Sequence, residues 1–119
     1  LGPVQAIAQA NTRAKLTLND ADLIEINEAF SAQVLACLKG MKDMEFSKYT
    51  GLEKPLGEVP REKLNRLGGS IALGHPVGAT GARLVLTALN QLDKMNGKRA
   101  LVSACVGGGQ GTALWLEKE

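Results

Sequence analysis

The sequence predicts an α/β fold: a mixed, mostly parallel sheet flanked by helices and finished by a C-terminal antiparallel hairpin. Three observations carry this. Residues 22–27 form a short strand-like run, and Ala29, Phe30, Val34, Leu35, Leu38 and Met41 then recur at helical spacing. Residues 100–106 form a continuous apolar run, the pattern of a buried strand. The glycines Gly107, Gly108 and Gly109 separate that run from a second strand-like stretch at 111–116, which predicts a hairpin. Strands alternating with helices argue for a sheet with crossover connections, and the hairpin makes it mixed.

In chain order, Val4, Ile7, Ala8 and Ala14 predict a first helix, with Pro3 near its start where a missing N–H is harmless. Residues 16–21 connect it to the first strand, residues 22–27. Asn27 and Glu28 then stand where strand passes into the second helix, a usual place for site residues in α/β folds. Residues 44–65 hold Gly51, Pro55, Gly57 and Pro60 and show no sustained period, so a long surface excursion is expected there. Residues 70–73 read as a short buried strand. Beyond His75 and Pro76, the residues Ala82, Val85, Leu86 and Leu89 recur at helical spacing and predict a helix, with Thr80 available to cap its start. Asn96 and Gly97 predict its end.

The totals exclude several functions. A chain of 119 residues suits one domain, 1–119, that buries roughly two-thirds of its unfolded surface. Hydrophobic content of 45% with 22% charged residues indicates a globular protein. The net charge is only +2 and the charges are interleaved, so no nucleic-acid footprint is present. One Trp, one Tyr and two Phe leave little for base stacking. No apolar run is long enough for a membrane span, and no charged, apolar leader is visible. The chain starts without Met, which suggests a piece of a longer protein. Two cysteines suggest a reducing compartment, the cytoplasm or, in a eukaryote, a mitochondrial or peroxisomal matrix. Cys37, His75 and Cys105 are too dispersed for a zinc spacing, so no metal site is expected.

Three positions can carry chemistry, each at an element end. His75, the only histidine, lies in Gly-His-Pro within a stretch from Leu67 to Ala82 that holds five glycines. The glycine spacing is not that of a dinucleotide fingerprint, and no Gly-Lys-Ser/Thr follows. Cys105 ends a strand before three glycines, whose N–H groups can approach a thiolate without side-chain obstruction. Asn27 opens Asn-Glu-Ala-Phe. Each has a plainer reading: a structural histidine, an inert strand cysteine, a helix cap. Glu28 can simply favour the helix dipole, and Cys37, among apolar helix neighbours, reads as packing.

Taken together, Asn-Glu-Ala-Phe at 27–30, the run Gly-Gly-Ser-Ile-Ala-Leu-Gly-His-Pro-Val-Gly-Ala-Thr-Gly-Ala-Arg at 68–83 and Cys-Val-Gly-Gly-Gly-Gln-Gly at 105–111 stand in the order found in thiolases. The opening Gly-Pro-Val-Gln-Ala-Ile at 2–7 also resembles the start of the thiolase C-terminal domain, so the resemblance covers essentially the whole chain. The Gly-Gly-Ser form and the long segment after the second helix are most similar to the acyl-CoA-degrading members.

The resemblance implies a thiolase-like fold and an acyltransferase that cleaves 3-ketoacyl-CoA with free CoA to acetyl-CoA and a shortened acyl-CoA, or runs the reverse Claisen condensation. It implies that His75 activates the nucleophilic thiol and helps bind the thioester oxygen. Asn27 would hold a water in that oxyanion hole, and Cys105 would move a proton on or off the acetyl α-carbon. The backbone N–H of Gly107 would serve a second oxyanion hole, and Ala29 and Phe30 would line the pantetheine channel. CoA and acyl-CoA enter as substrates, and no cofactor is implied. No residue matches the family's nucleophilic cysteine, which belongs to an N-terminal domain. The expected partners are that domain, acyl-CoA and, at full length, further copies of the same protein. These 119 residues alone are expected to have no turnover and to self-associate through an exposed apolar face. A ketoacyl-synthase-type condensing enzyme and a non-catalytic acyl-CoA or lipid-binding module are the alternatives. Ketoacyl synthases usually carry His or Asn where Cys105 stands.

Overall fold

A computed structural model describes all residues, 1–119. The elements follow in the order α1 (Gly2–Ala14), β1 (Leu23–Ile26), α2 (Ser31–Lys42), α3 (Met44–Tyr49), α4 (Ser70–Leu73), α5 (Val77–Lys94), β2 (Arg99–Gly107) and β3 (Gln110–Glu117), with 3-10 turns at Leu18–Asp20 and Arg61–Lys63.

The sheet runs β1-β2-β3, with β1 parallel to β2 and β2 antiparallel to β3. Alternation along the strands sorts side chains into two cores. Ile24, Ile26 and Leu101 pack with Val4 and Ile7 of α1 and with Val34, Cys37 and Met41 of α2. Leu23, Ala100 and Val102 pack on the other face against Leu84, Ala88 and Leu92 of α5. The result is a three-layer α/β/α domain. At the rim of the α1 layer, Gly2 and Gly111 lie backbone to backbone. A Cβ on Gly111 would fall 2.3 Å from the carbonyl carbon of Gly2.

The predicted hairpin forms on a two-residue turn, Gly108 and Gly109, both with positive φ (58° and 75°), as a type I′ turn requires. Cys105 faces Gly111 while Gly107 faces Gln110, so Val106 is an extra residue, a β-bulge beside Cys105. The predicted stop of α5 is a Schellman cap. Asn96 takes φ 53°, and the Gly97 N–H donates to the Leu92 carbonyl at 2.9 Å.

Two expectations are corrected, for residues 70–73 and 44–65. Residues 70–73 are one helical turn, not a buried strand, with Ile71 and Leu73 exposed. Periodicity cannot tell strand from helix over four residues, and glycines at both ends (Gly68, φ 81°; Gly74, φ 94°) let the chain close the turn. The helix after His75 is present, but Ala82, Leu86 and Leu89 face outward and Val85 is only half-buried. α5 carries a second apolar stripe, Leu84, Ala88 and Leu92, and that one takes the core. Segment 44–65 is not merely a surface excursion. Asp43 caps α3 by accepting from the Phe46 N–H at 2.8 Å, and Ser47 and Val59 are buried. Leu64 makes a single parallel bridge to Ile24, so the segment returns to the free edge of β1. A six-residue helix is too short to display a period.

Candidate active site

The site gathers where β1 and β2 end. Asn27 extends the parallel ladder by one bond, its N–H donating to the Ser103 carbonyl at 2.9 Å, and it is 2% exposed. Its side chain lies on the α5 side of the sheet. There the Ser70 hydroxyl donates to Asn27 Oδ1 at 2.6 Å, and Asn27 Nδ2 faces His75 Nε2 at 3.5 Å.

His75 is exposed, between the α4 turn and the start of α5, where Pro76 forms the N-cap. Its Nδ1 lies 2.7 Å from Thr80 Oγ1. The Thr80 hydroxyl is within reach of both the Pro76 carbonyl at 3.1 Å and His75 Nδ1; with its proton on the carbonyl it accepts from His75, and Nδ1 then carries the imidazole proton. Nε2 is left with a lone pair, which the Asn27 amide N–H meets. Thr80 therefore does not cap α5, as the sequence suggested; it orients the imidazole. A ring held through Nδ1, with Nε2 turned toward Asn27 at 3.5 Å, has a geometry suited to proton transfer.

Glu28 does not serve the dipole of α2. Its Oε1 accepts from Asn65 Nδ2 at 3.1 Å and its Oε2 from the Ile71 N–H at 3.1 Å. Asn65, at φ 44°, mimics a paired strand: Oδ1 accepts from the Ile26 N–H and Nδ2 donates to the Ile26 carbonyl, both at 2.9 Å. The segment carrying Ser70 and His75 is thereby tied to the end of β1. Gly69 makes room for the carboxylate, since a Cβ there would lie 2.5 Å from Glu28 Cδ. Sequence reasoning assigned no role to Asn65, Ser70 or Arg83. The available signal was the asparagine three places before a glycine pair, at the end of a charged run.

Cys105 is half-buried on β2, two residues beyond Ser103. No hydrogen bond joins it to Asn27 or His75. By alternation it lies on the face of Leu101 and Ser103, whereas Asn27 continues the face of Leu23 and Glu25. Both stand at the same end of adjacent strands, so a group bound beyond that end can meet both. Gly107, at φ 88°, follows the bulge, and Phe30 is 73% exposed at the N-cap of α2, with Ala29 half-buried before it. Cys37 is fully buried, and burial pushes its thiol up despite an amide contact from Gln33 at 3.6 Å, which suits packing rather than reactivity. No helix is long and apolar enough to cross a membrane.

Known proteins are similar to this chain in sequence and fold. The chain is 49% identical over 118 residues to the mitochondrial trifunctional enzyme subunit beta of Bos taurus, covering 98% of this chain and 25% of that protein. It is 49% identical over 120 residues to the 3-ketoacyl-CoA thiolase of Photorhabdus laumondii, covering 100% and 28%. Crystal structures of human mitochondrial 3-ketoacyl-CoA thiolase, one of them in complex with CoA, superpose with a TM-score of 0.78 at 40% identity, covering 99% of this chain and 26% of theirs. The chain thus spans about a quarter of the length of these relatives. Residues 1–118 match the family described as "Thiolase, C-terminal domain", and the chain belongs to it.

Proposed function

We propose that this chain supplies the C-terminal part of a thiolase active site, working on 3-ketoacyl-CoA and free CoA in the degradative direction or on acyl-CoA and acetyl-CoA in the reverse. The pairing of Asn27 with an Nδ1-protonated His75, at the strand end next to that of Cys105, carries this reading.

The nucleophilic thiol comes from an N-terminal domain outside these residues. His75 Nε2 takes its proton as the thiol attacks the keto carbon, and the C–C bond breaks to leave an acetyl-CoA enolate. Cys105 delivers the proton to that α-carbon, and CoA then accepts the acyl group from the enzyme. In the reverse direction Cys105 removes the α-proton. The enolate needs donors, since a thioester C–H is a far weaker acid than a thiol. His75 and a water held by Asn27 serve one oxyanion, and the Gly107 N–H serves the other. One such donor is worth roughly 2.7–4 kcal/mol of barrier. Ala29 and the exposed Phe30 stand where the pantetheine arm passes. The outward stripe of α5, with Val106 and Leu114, gives the N-terminal domain and further copies of the protein an apolar face to cover.

The test is exchange of acetyl-CoA α-protons with solvent deuterium in the protein carrying its N-terminal domain. Cys105→Ala and His75→Ala are each expected to abolish it. Exchange persisting in both would remove these roles and favour a binding module.

A further inference from the structure

An asparagine amide has two orientations of nearly the same shape, and only one presents an N–H to His75. The choice is made further along the same chain of hydrogen bonds. Arg83 Nη2 donates to Ser70 Oγ at 3.1 Å, and a guanidinium can only donate. The Ser70 hydroxyl, already accepting from Arg83, directs its own proton to Asn27 at 2.6 Å. The atom that receives it must be Oδ1, which turns Nδ2 toward His75. At the far end, Thr80 donates to the Pro76 carbonyl, which can only accept. A donor-only group and an acceptor-only group bound the chain Arg83–Ser70–Asn27–His75–Thr80–Pro76, and they favour the one sense in which each hydroxyl accepts from one neighbour and donates to the next. Without the guanidinium, the Ser70 hydroxyl could accept from an inverted Asn27. Oδ1 would then face His75 and select the opposite tautomer.

Arg83 is poorly placed for stability alone. Its Nε and Nη1 are buried without a hydrogen-bond partner. The opposite charge that faces it is Glu25, fully buried on β1, whose Oε1 accepts from Gln91 Nε2 at 2.8 Å while Oε2 is unpartnered. Leaving guanidinium N–H groups unbonded inside a protein is costly unless the residue serves something else.

We propose that Ser70 and Arg83 are positioning residues, which polarise this hydrogen-bond chain so that Asn27 donates to His75 and His75 keeps Nε2 as the free base. The proposal rests on the thiolase reading of the same site. It is tested in the protein carrying its N-terminal domain by thiolysis kinetics of Ser70→Ala, Arg83→Met and Arg83→Lys, with His75→Ala as reference and the folded fraction measured by circular dichroism. Ser70→Ala and Arg83→Met are expected to lower kcat about tenfold, the effect of about one hydrogen bond in the transition state. KM for CoA is expected to stay within about twofold, because neither residue is placed on the pantetheine path. Arg83→Lys, which keeps a charged donor, is expected to recover part of kcat. Wild-type kcat in Ser70→Ala and Arg83→Met alongside an inactive His75→Ala would overturn the positioning role alone. So would a loss fully explained by unfolded protein, or one that Arg83→Lys does not relieve. An active His75→Ala would instead overturn the thiolase reading beneath it.

Discussion

At the residue scale, the site is held by groups that never approach the reacting atoms. Glu28 binds Asn65 and the Ile71 N–H at once, which it can do only because position 69 has no side chain. Gly69→Ala is therefore expected to push the carboxylate off both partners. The cost is about 1–3 kcal/mol of stability, as for other overpacked sites, read as a lower urea midpoint. An unchanged midpoint would mean that the carboxylate can move aside freely. Asn27, His75 and Cys105 were legible in the sequence because each abuts a glycine run or an element boundary. Asn65 and Arg83 were not, because their value lies in partners 39 and 13 residues away in the chain. A short polar residue in a loop looks the same whether or not it completes a strand edge.

At the element scale, the parallel pair β1–β2 sets the separation of Asn27 and Cys105, and its far end is clamped by Asp22. Asp22 Oδ2 accepts from the N–H groups of Lys98 and Arg99 at 2.7 and 2.9 Å, and the Asp22 N–H returns a bond to the Arg99 carbonyl at 2.8 Å. These N–H groups, Arg99 first, hold the carboxyl below its ordinary value of 3.8. A carboxylate with a lowered folded pKa adds stability that is fully present above the unfolded value and is lost as pH falls through the folded one. Asp22→Ala is expected to cost about 0.5–1.5 kcal/mol at pH 7 by urea unfolding, solvent screening of the carboxylate included, with the gap to wild type closing as pH drops below about 4. A gap of constant size down to pH 2 would contradict this. The long helices came through from sequence because their periods run over enough residues, and β2 and β3 because a glycine turn divides them. The one-turn α4 and six-residue α3 did not, because a single turn of apolar residues has no period to read.

At the scale of the whole molecule, three layers leave one face of α5 uncovered. Leu86 and Leu89 repeat as regularly as the core residues Leu84, Ala88 and Leu92. Spacing identifies a helix; which stripe enters a core depends on what else is present to cover the other, and a helix between two apolar neighbours carries both. The mixed sheet with its helices and the C-terminal hairpin were legible, because they follow from the order of elements rather than from any one side chain. Contacts at both ring nitrogens of His75 hold one orientation of the imidazole, and its tautomer reports this most directly. Long-range ¹H–¹⁵N correlation NMR of the 119-residue chain, whose only histidine is His75, is expected to show the proton on Nδ1 and a lone pair on Nε2. A spectrum of the Nε2-protonated ring, or of the two tautomers averaging as in a free imidazole, would contradict it.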